Sequence, residues 1–150
     1  MHSKLLQSLF PVLLIIFSFS CTTVKKATQT TADIRGLRFL SQYDLPFNLS
    51  YNNTIVGGLS GIDYDAKNNL YYLISDDRSD RNPARFYTAK IFFSEKKIDS
   101  ISFTGVKYML RADGQAYPNN KQDARQTPDP EAIRFNPVSG MLAWSSEGER

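Results

Sequence analysis

Apolar and polar residues alternate along most of this chain with the two-residue period of half-buried strands, and one stretch of that alternation occurs twice. Residues 59–77 lie over residues 130–148 at an offset of 71 positions, so that Ser60 falls on Glu131. In both copies a short alternating strand (Ile62 and Tyr64; Ile133 and Phe135) runs into a polar turn. An apolar strand follows (70–73; 141–144), and each copy then reaches a serine and an acid, Ser75-Asp76 and Ser146-Glu147. Residues 141–146 read as a buried-type strand.

The same alternation predicts the other elements. An opening strand is expected over 37–43, with Leu37 and Phe39 on one face. Residues 45–53 form a connection with three asparagines, and 54–58 lead into the first hairpin. Gly57, Gly58 and Gly61 imply a backbone that bends or approaches something closely. Asn68-Asn69 suits a turn with positive φ. After the charged loop 76–83, residues 85–93 alternate Phe86, Thr88 and Lys90 against Tyr87, Ala89, Ile91 and Phe93. One or two further strands are expected over 98–110, joined through 94–97. Residues 111–130 are polar, contain three prolines and show no period; such a stretch inside a domain is usually a functional loop or disordered. No convincing helical period follows residue 21.

Repeated antiparallel hairpins without helices predict an all-β fold of β-propeller-like repeats. In such an array, equivalent strand ends converge on an axial site. A blade takes about 40–45 residues and closure needs at least four, so residues 36–150 would supply two or three. The chain is therefore expected to be an incomplete array, the N-terminal part of a longer protein; a small complete β domain is the alternative.

The first residues are an address. Lys4 provides a positive start, 9–19 an apolar run interrupted by Pro11, and Ser18-Phe19-Ser20-Cys21 a small-residue processing site. The run is too short for a bilayer-spanning helix, which takes about 20 residues. Ser18-Phe19-Ser20-Cys21 resembles a bacterial lipobox, implying a signal peptide over 1–21 and lipidation of Cys21; an ordinary secretory signal with a chance cysteine is the alternative. Residues 22–35 are expected to be a polar tether, and 36–150 the domain. The lipid would hold the protein in the cell envelope. Thr22 is not the aspartate associated with inner-membrane retention, so the outer membrane or cell surface is favoured.

Composition narrows the chemistry. With 10 Phe, 8 Tyr and 1 Trp the chain suits pleated surfaces. Lys and Arg number 18 against 15 Asp and Glu, and they are scattered, without the aromatic interleaving of a nucleic-acid interface. No nucleic-acid partner is expected. The single Cys is Cys21 and the single His is His2, both within the address. The remaining sequence therefore holds no Ser-His-Asp triad, no Cys-His pair and no His-based metal site.

Carboxylates and arginines remain. Asp76, Asp77 and Asp80 alternate with Arg78, Arg81 and Arg85; Asp129, Glu131, Glu147 and Glu149 form a second group. Oxygen-only donors suit Ca²⁺ or Mg²⁺, and arginines at the same mouth suit a bidentate grip on an anion. The alternative for 76–81 is a solvated loop whose charges neutralise one another. Glu131, a carboxylate opening an otherwise apolar strand, points to a ligand or a polar network. Asp63-x-Asp65-x-Lys67 is not an EF-hand: Lys67 occupies a ligand position, Asn68 the glycine and Ile74 the bidentate glutamate.

Several blocks together resemble the phytase-like domain family, described as "esterase-like activity of phytase". They are residues 57–65 (GGLSGIDYD), 73–78 (LISDDR), 84–87 (ARFY), 128–133 (PDPEAI) and 144–148 (WSSEG). Ala132 stands where the family more often has glycine, and Ser145-Ser146-Glu147 where Ser-Asp-Glu is common. The resemblance implies a propeller-like fold, export from a bacterial cell and phosphoric-ester hydrolysis. On that reading the expected metal ligands are Asp76, Asp77, Glu131 and Glu147, holding Ca²⁺ or another hard divalent cation, with Arg78 and Arg85 holding a small anionic substrate. The alternative is a non-catalytic propeller lipoprotein that binds a partner or glycan at the cell surface.

Overall fold

The structure, a computed structural model, describes residues 36–147. The expected signal peptide with Cys21, the expected tether over 22–35 and Glu149 of the second acid group lie outside the described residues, and every described strand belongs to the unit that starts at Arg38. Among the described residues eight strands run in the order β1 (Ser50–Tyr51), β2 (Thr54–Ile55), β3 (Leu59–Asp65), β4 (Leu70–Ser75), β5 (Arg85–Ser94), β6 (Lys97–Tyr108), β7 (Pro130–Asn136) and β8 (Met141–Ser146). All pairings are antiparallel. The fold is all-β: β3-β4-β5-β6 form a four-stranded meander, β1-β2 and β7-β8 are separate hairpins, and no sheet closes on itself among the described residues.

The two hairpins cover opposite faces of the meander. On one face Leu73 lies opposite Tyr87. There the β1-β2 hairpin docks through Tyr51 against Phe103, with ring centroids 5.8 Å apart, and through the Thr54 hydroxyl, 2.9 Å from the Tyr87 hydroxyl. On the other face Tyr72 and Ile74 receive β7 and β8. Phe135 stacks on Tyr72 at 5.3 Å, and Ile133 joins Ile74, Ala84 and Met109 in a buried apolar cluster. Burial of these side chains is what holds the layers together, at roughly 1.5–3 kcal/mol for each large residue.

The sequence repeat is reproduced down to individual hydrogen bonds. Asp65 turns the β3-β4 hairpin by accepting from the backbone of Lys67 (3.0 Å) and Asn68 (3.3 Å). Its counterpart Asn136 accepts from Val138 (2.9 Å) and Ser139 (3.2 Å). Each turn leaves through a residue with positive φ, Asn69 at 48° and Gly140 at 70°. Both ladders also slip at the same place. Leu59 pairs with Ser75 and Gly61 with Ile74, so Ser60 is an extra residue; Pro130 pairs with Ser146 and Ala132 with Ser145, so Glu131 is its equivalent. A bulge of this kind re-aims the side chain it carries.

Gly61 is required where the repeats meet. A Cβ there would lie 3.0 Å from the Ala132 Cα and 3.1 Å from the Glu131 carbonyl oxygen, so β3 and β7 approach closer than a side chain allows.

Three expectations change. Residues 37–43 form no strand: Leu37 and Phe39 are exposed, and alternation without a neighbouring ladder leaves the backbone unpaired. The Ser41 hydroxyl accepting from Ile98 N at 3.2 Å is a side-chain tie. The strand Met141–Ser146 is mostly exposed rather than buried, because β8 pairs only with β7 among the described residues. The connection 45–53 runs into a hairpin with residues 54–55 that periodicity missed, in which Asn52 and Asn53, both at positive φ (46° and 61°), make a two-residue turn.

Candidate functional site

The twin hairpins end side by side, and equivalent bonds fix both ends. Asp76 N donates to Gly58 O at 2.7 Å, and Glu147 N donates to Asp129 O at 3.0 Å. Asp129, at the position of Gly58 in the repeat, donates from its own backbone to the Ser146 hydroxyl at 3.0 Å. The bulge brings Glu131 alongside, and Asp129, Glu131 and Glu147 each place a carboxylate oxygen within 4.8 Å of the others.

Asp76 borders this group. Its carboxylate folds over Gly58, whose φ of 56° and missing Cβ make room for it. Burial, reinforced by the charges of Asp129 and Asp77, pushes the Asp76 carboxyl above the ordinary aspartate range. Arg78 lies beside the cluster with its Nε 3.8 Å from the Asp129 carboxylate, and that buried nitrogen has no hydrogen-bond partner among the described residues.

Asp77 points elsewhere, into its own loop. Its carboxylate accepts from the backbone of Asp80 (2.9 Å), Arg81 (3.1 Å) and Asn82 (3.1 Å), and from Arg85 at 2.8 Å. Burial would raise its pKa, but the Arg85 guanidinium and the N–H groups of Arg81 and Asn82 outweigh it and hold the carboxyl below the usual range. Arg85 is 1% exposed. It donates to the Tyr87 hydroxyl (2.6 Å) and the Ile55 carbonyl (2.8 Å) as well as to Asp77. The Asp77–Arg85 pair is thus a strut tying the charged loop and the β1-β2 hairpin to the meander.

Between the charged loop and Gly57-Gly58 opens a cleft of about 420 Å³ walled by Asp76, Arg78, Arg81 and Lys121, with Arg85 behind them. Its far wall comes from the long connection, which is ordered against the loop. Asn119 donates to the carbonyls of Ser79 (2.6 Å) and Asp80 (3.1 Å), Asn120 N donates to Arg78 O at 3.2 Å, and Lys121 Nζ pairs with Asp80 at 2.7 Å.

Of the residues singled out from sequence, Asp76, Glu131, Glu147 and Arg78 come together at the strand ends, while Asp77 and Arg85 lie behind them as a buried pair. Asp129, named from sequence with Glu131 and Glu147, completes the group at the position where the first repeat has the glycine beneath Asp76. Arg81 lies on the charged loop where the sequence placed it, whereas Lys121 enters the site only because the long connection folds back, which no local pattern reveals.

The donor set fits a hard cation. Oxygens bound to one Ca²⁺ at about 2.3–2.6 Å lie within about 5 Å of each other, the spread of Asp129, Glu131 and Glu147.

Comparison with curated proteins and with solved structures finds no match for this chain. Residues 54–150, which contain both hairpins, the charged loop and every acid of the cluster, match the family model described as "Phytase-like: Esterase-like activity of phytase", and the chain belongs to that family.

Proposed function

We propose that this protein is an exported, lipid-anchored hydrolase of phosphoric esters that works with Ca²⁺ or a similar hard cation. The observation that carries this reading is the convergence of Asp129, Glu131 and Glu147 within 4.8 Å at the equivalent ends of two repeats, with Arg78 alongside. Asp129, Glu131, Glu147 and the bordering Asp76 would hold the cation. When bound, such an ion supplies a Lewis acid for the phosphoryl oxygen and lowers the pKa of a water.

The chain's own residues do the rest. Arg78 offers a guanidinium beside the cluster for two phosphate oxygens. Asp77 and Arg85 hold the loop that presents Asp76 and Arg78, so they position the site without touching a substrate. The four-stranded meander, followed by a hairpin that repeats its first half, supports a propeller-like array in which these strand ends face an axis. Cys21 would carry the lipid that keeps the protein at the outer membrane or cell surface.

The test is phosphate release from a soluble phosphate ester by the purified full chain, with and without chelator, and by Glu131→Gln. Activity abolished by chelation, restored by calcium and lost in the variant is the expected result. Undiminished release under chelation would remove the metal from the reading. Calcium binding with no release of phosphate would favour the binding lipoprotein instead.

A further inference from the structure

A second cleft, of about 430 Å³, adjoins the first, and Ile55, Gly57 and Arg81 line both. The rest of its wall is mainly apolar, with Tyr43, Leu45, Pro46, Phe47 and Val56 among its residues; Asp44 is the one acid among the described residues there, and it accepts a hydrogen bond from Gln42 at 3.2 Å. Phe47 is 91% exposed, yet the loop displaying it is held. Leu49 N donates to Pro46 O at 3.1 Å and Val56 N to Leu49 O at 2.8 Å, closing the loop on itself and on the edge of β2.

The charges single out one residue. In the first cleft Arg85 pairs with Asp77, Lys121 with Asp80 and Arg78 with Asp129. Arg81 has no ion pair among the described residues, although its backbone N–H is fixed on Asp77 at 3.1 Å. Besides Arg78, a guanidinium with no ion pair among the described residues therefore stands in the wall shared by a polar cleft and an apolar one.

We propose that the two clefts form one bipartite site that selects a small soluble phosphate ester with an apolar substituent, the phosphate between Arg78 and Arg81 in the first cleft and the substituent over Phe47 and Leu45 in the second. The phosphate chemistry rests on the hydrolase reading; the selectivity rests on the paired clefts alone. A polyol substituent would gain nothing from this wall, whereas an aryl or alkyl group removes apolar surface from water on entering it.

Phosphonates, which cannot be hydrolysed as esters, test the selectivity without turnover. Calorimetry on the full chain should show phenylphosphonate binding about tenfold or more tighter than methylphosphonate, since one well-placed apolar group is worth about that factor. Phe47→Ala combined with Leu45→Ala should erase the difference and leave methylphosphonate binding unchanged, while Arg81→Gln should weaken both. Equal affinity for the two probes, or a preference that survives the double variant, overturns the proposal. Capture by phosphatidylcholine vesicles containing phosphatidic acid, dependent on Arg81 and without phenylphosphonate binding, would assign the site to a lipid headgroup and also overturn it. Selective phenylphosphonate binding by a protein that fails to cleave phenyl phosphate would defeat the hydrolase reading and leave the bipartite site standing.

Discussion

Asp63 and Arg134 are counterparts in the two repeats, and each reaches across to the other's strand. The Asp63 carboxylate accepts the Phe135 backbone N–H at 2.7 Å, and the Arg134 guanidinium donates to the Ile62 carbonyl at 3.2 Å. Together with the Gly61 contact, this reciprocal pair sets how β7 lies along β3, and hence how far Glu131 and Glu147 sit from Asp76.

The Asp63 bond carries a pH dependence. The N–H groups of Phe135 and Tyr64, the larger effect first, hold its carboxyl below the ordinary aspartate value against the opposing effect of burial, with the Arg134 charge adding to them. A depressed folded pKa means stability that is complete above the unfolded pKa and lost as pH falls through the folded one. Because the bond is only partly shielded from water, Asp63→Ala should cost about 0.5–1.5 kcal/mol at pH 7, read as a lower Tm. The gap between variant and wild type should close as pH drops below about 4.

Gly61→Ala should separate the repeats. The added methyl meets backbone of Glu131, Ala132 and Ile133, which cannot rotate aside, so β7 must shift at a cost of about 1–3 kcal/mol. Calorimetric calcium titration of the folded variant should show weaker binding than wild type, because the shift carries Glu131 with it.

Arg85 and Arg78 should separate stability from function. Arg85→Ala strands the partly buried Asp77 carboxylate and should destabilise the fold by about 3–5 kcal/mol, measured by urea unfolding. Arg78, with 28% of its side chain exposed and its Asp129 partner at 3.8 Å, should cost under about 1 kcal/mol when replaced by alanine. Its loss should appear as slower phosphate release.

Calcium should raise thermal stability through the acid cluster. A ligand at 100 times its Kd adds about 2.7 kcal/mol to a fold that binds it only when native. The expected rise in Tm should vanish in the double variant Asp129→Asn, Glu147→Gln. A rise of the same size in that variant would place the ion elsewhere.

The residues explain which features could be read from sequence. The twin hairpins were legible because alternation, turn residues and terminal acids all recur at one spacing, and even the shared bulge falls where Ser60 and Glu131 interrupt an apolar run. Residues 37–43 alternate equally well, but a strand also needs a neighbour, and pairing is not a local property. Asp77 and Asp76 are adjacent and chemically identical; only the loop's backbone donors decide that one is consumed internally while the other faces Asp129. Lys121 reaches Asp80 beside an asparagine clamp that joins Asn119 to Ser79, 40 residues away in sequence, beyond the reach of any periodicity.

The matched bulge has a consequence of its own. Because the irregularity belongs to the main chain, the side chain it displays can be exchanged without rebuilding the ladder: a hydroxyl in one copy, Ser60, donates to Pro130 O at 3.1 Å and helps bind the copies together, while a carboxylate in the other, Glu131, stands among the acids. One scaffold used twice thus gives two equivalent positions different surroundings, one as mortar between the copies and the other within the acid cluster.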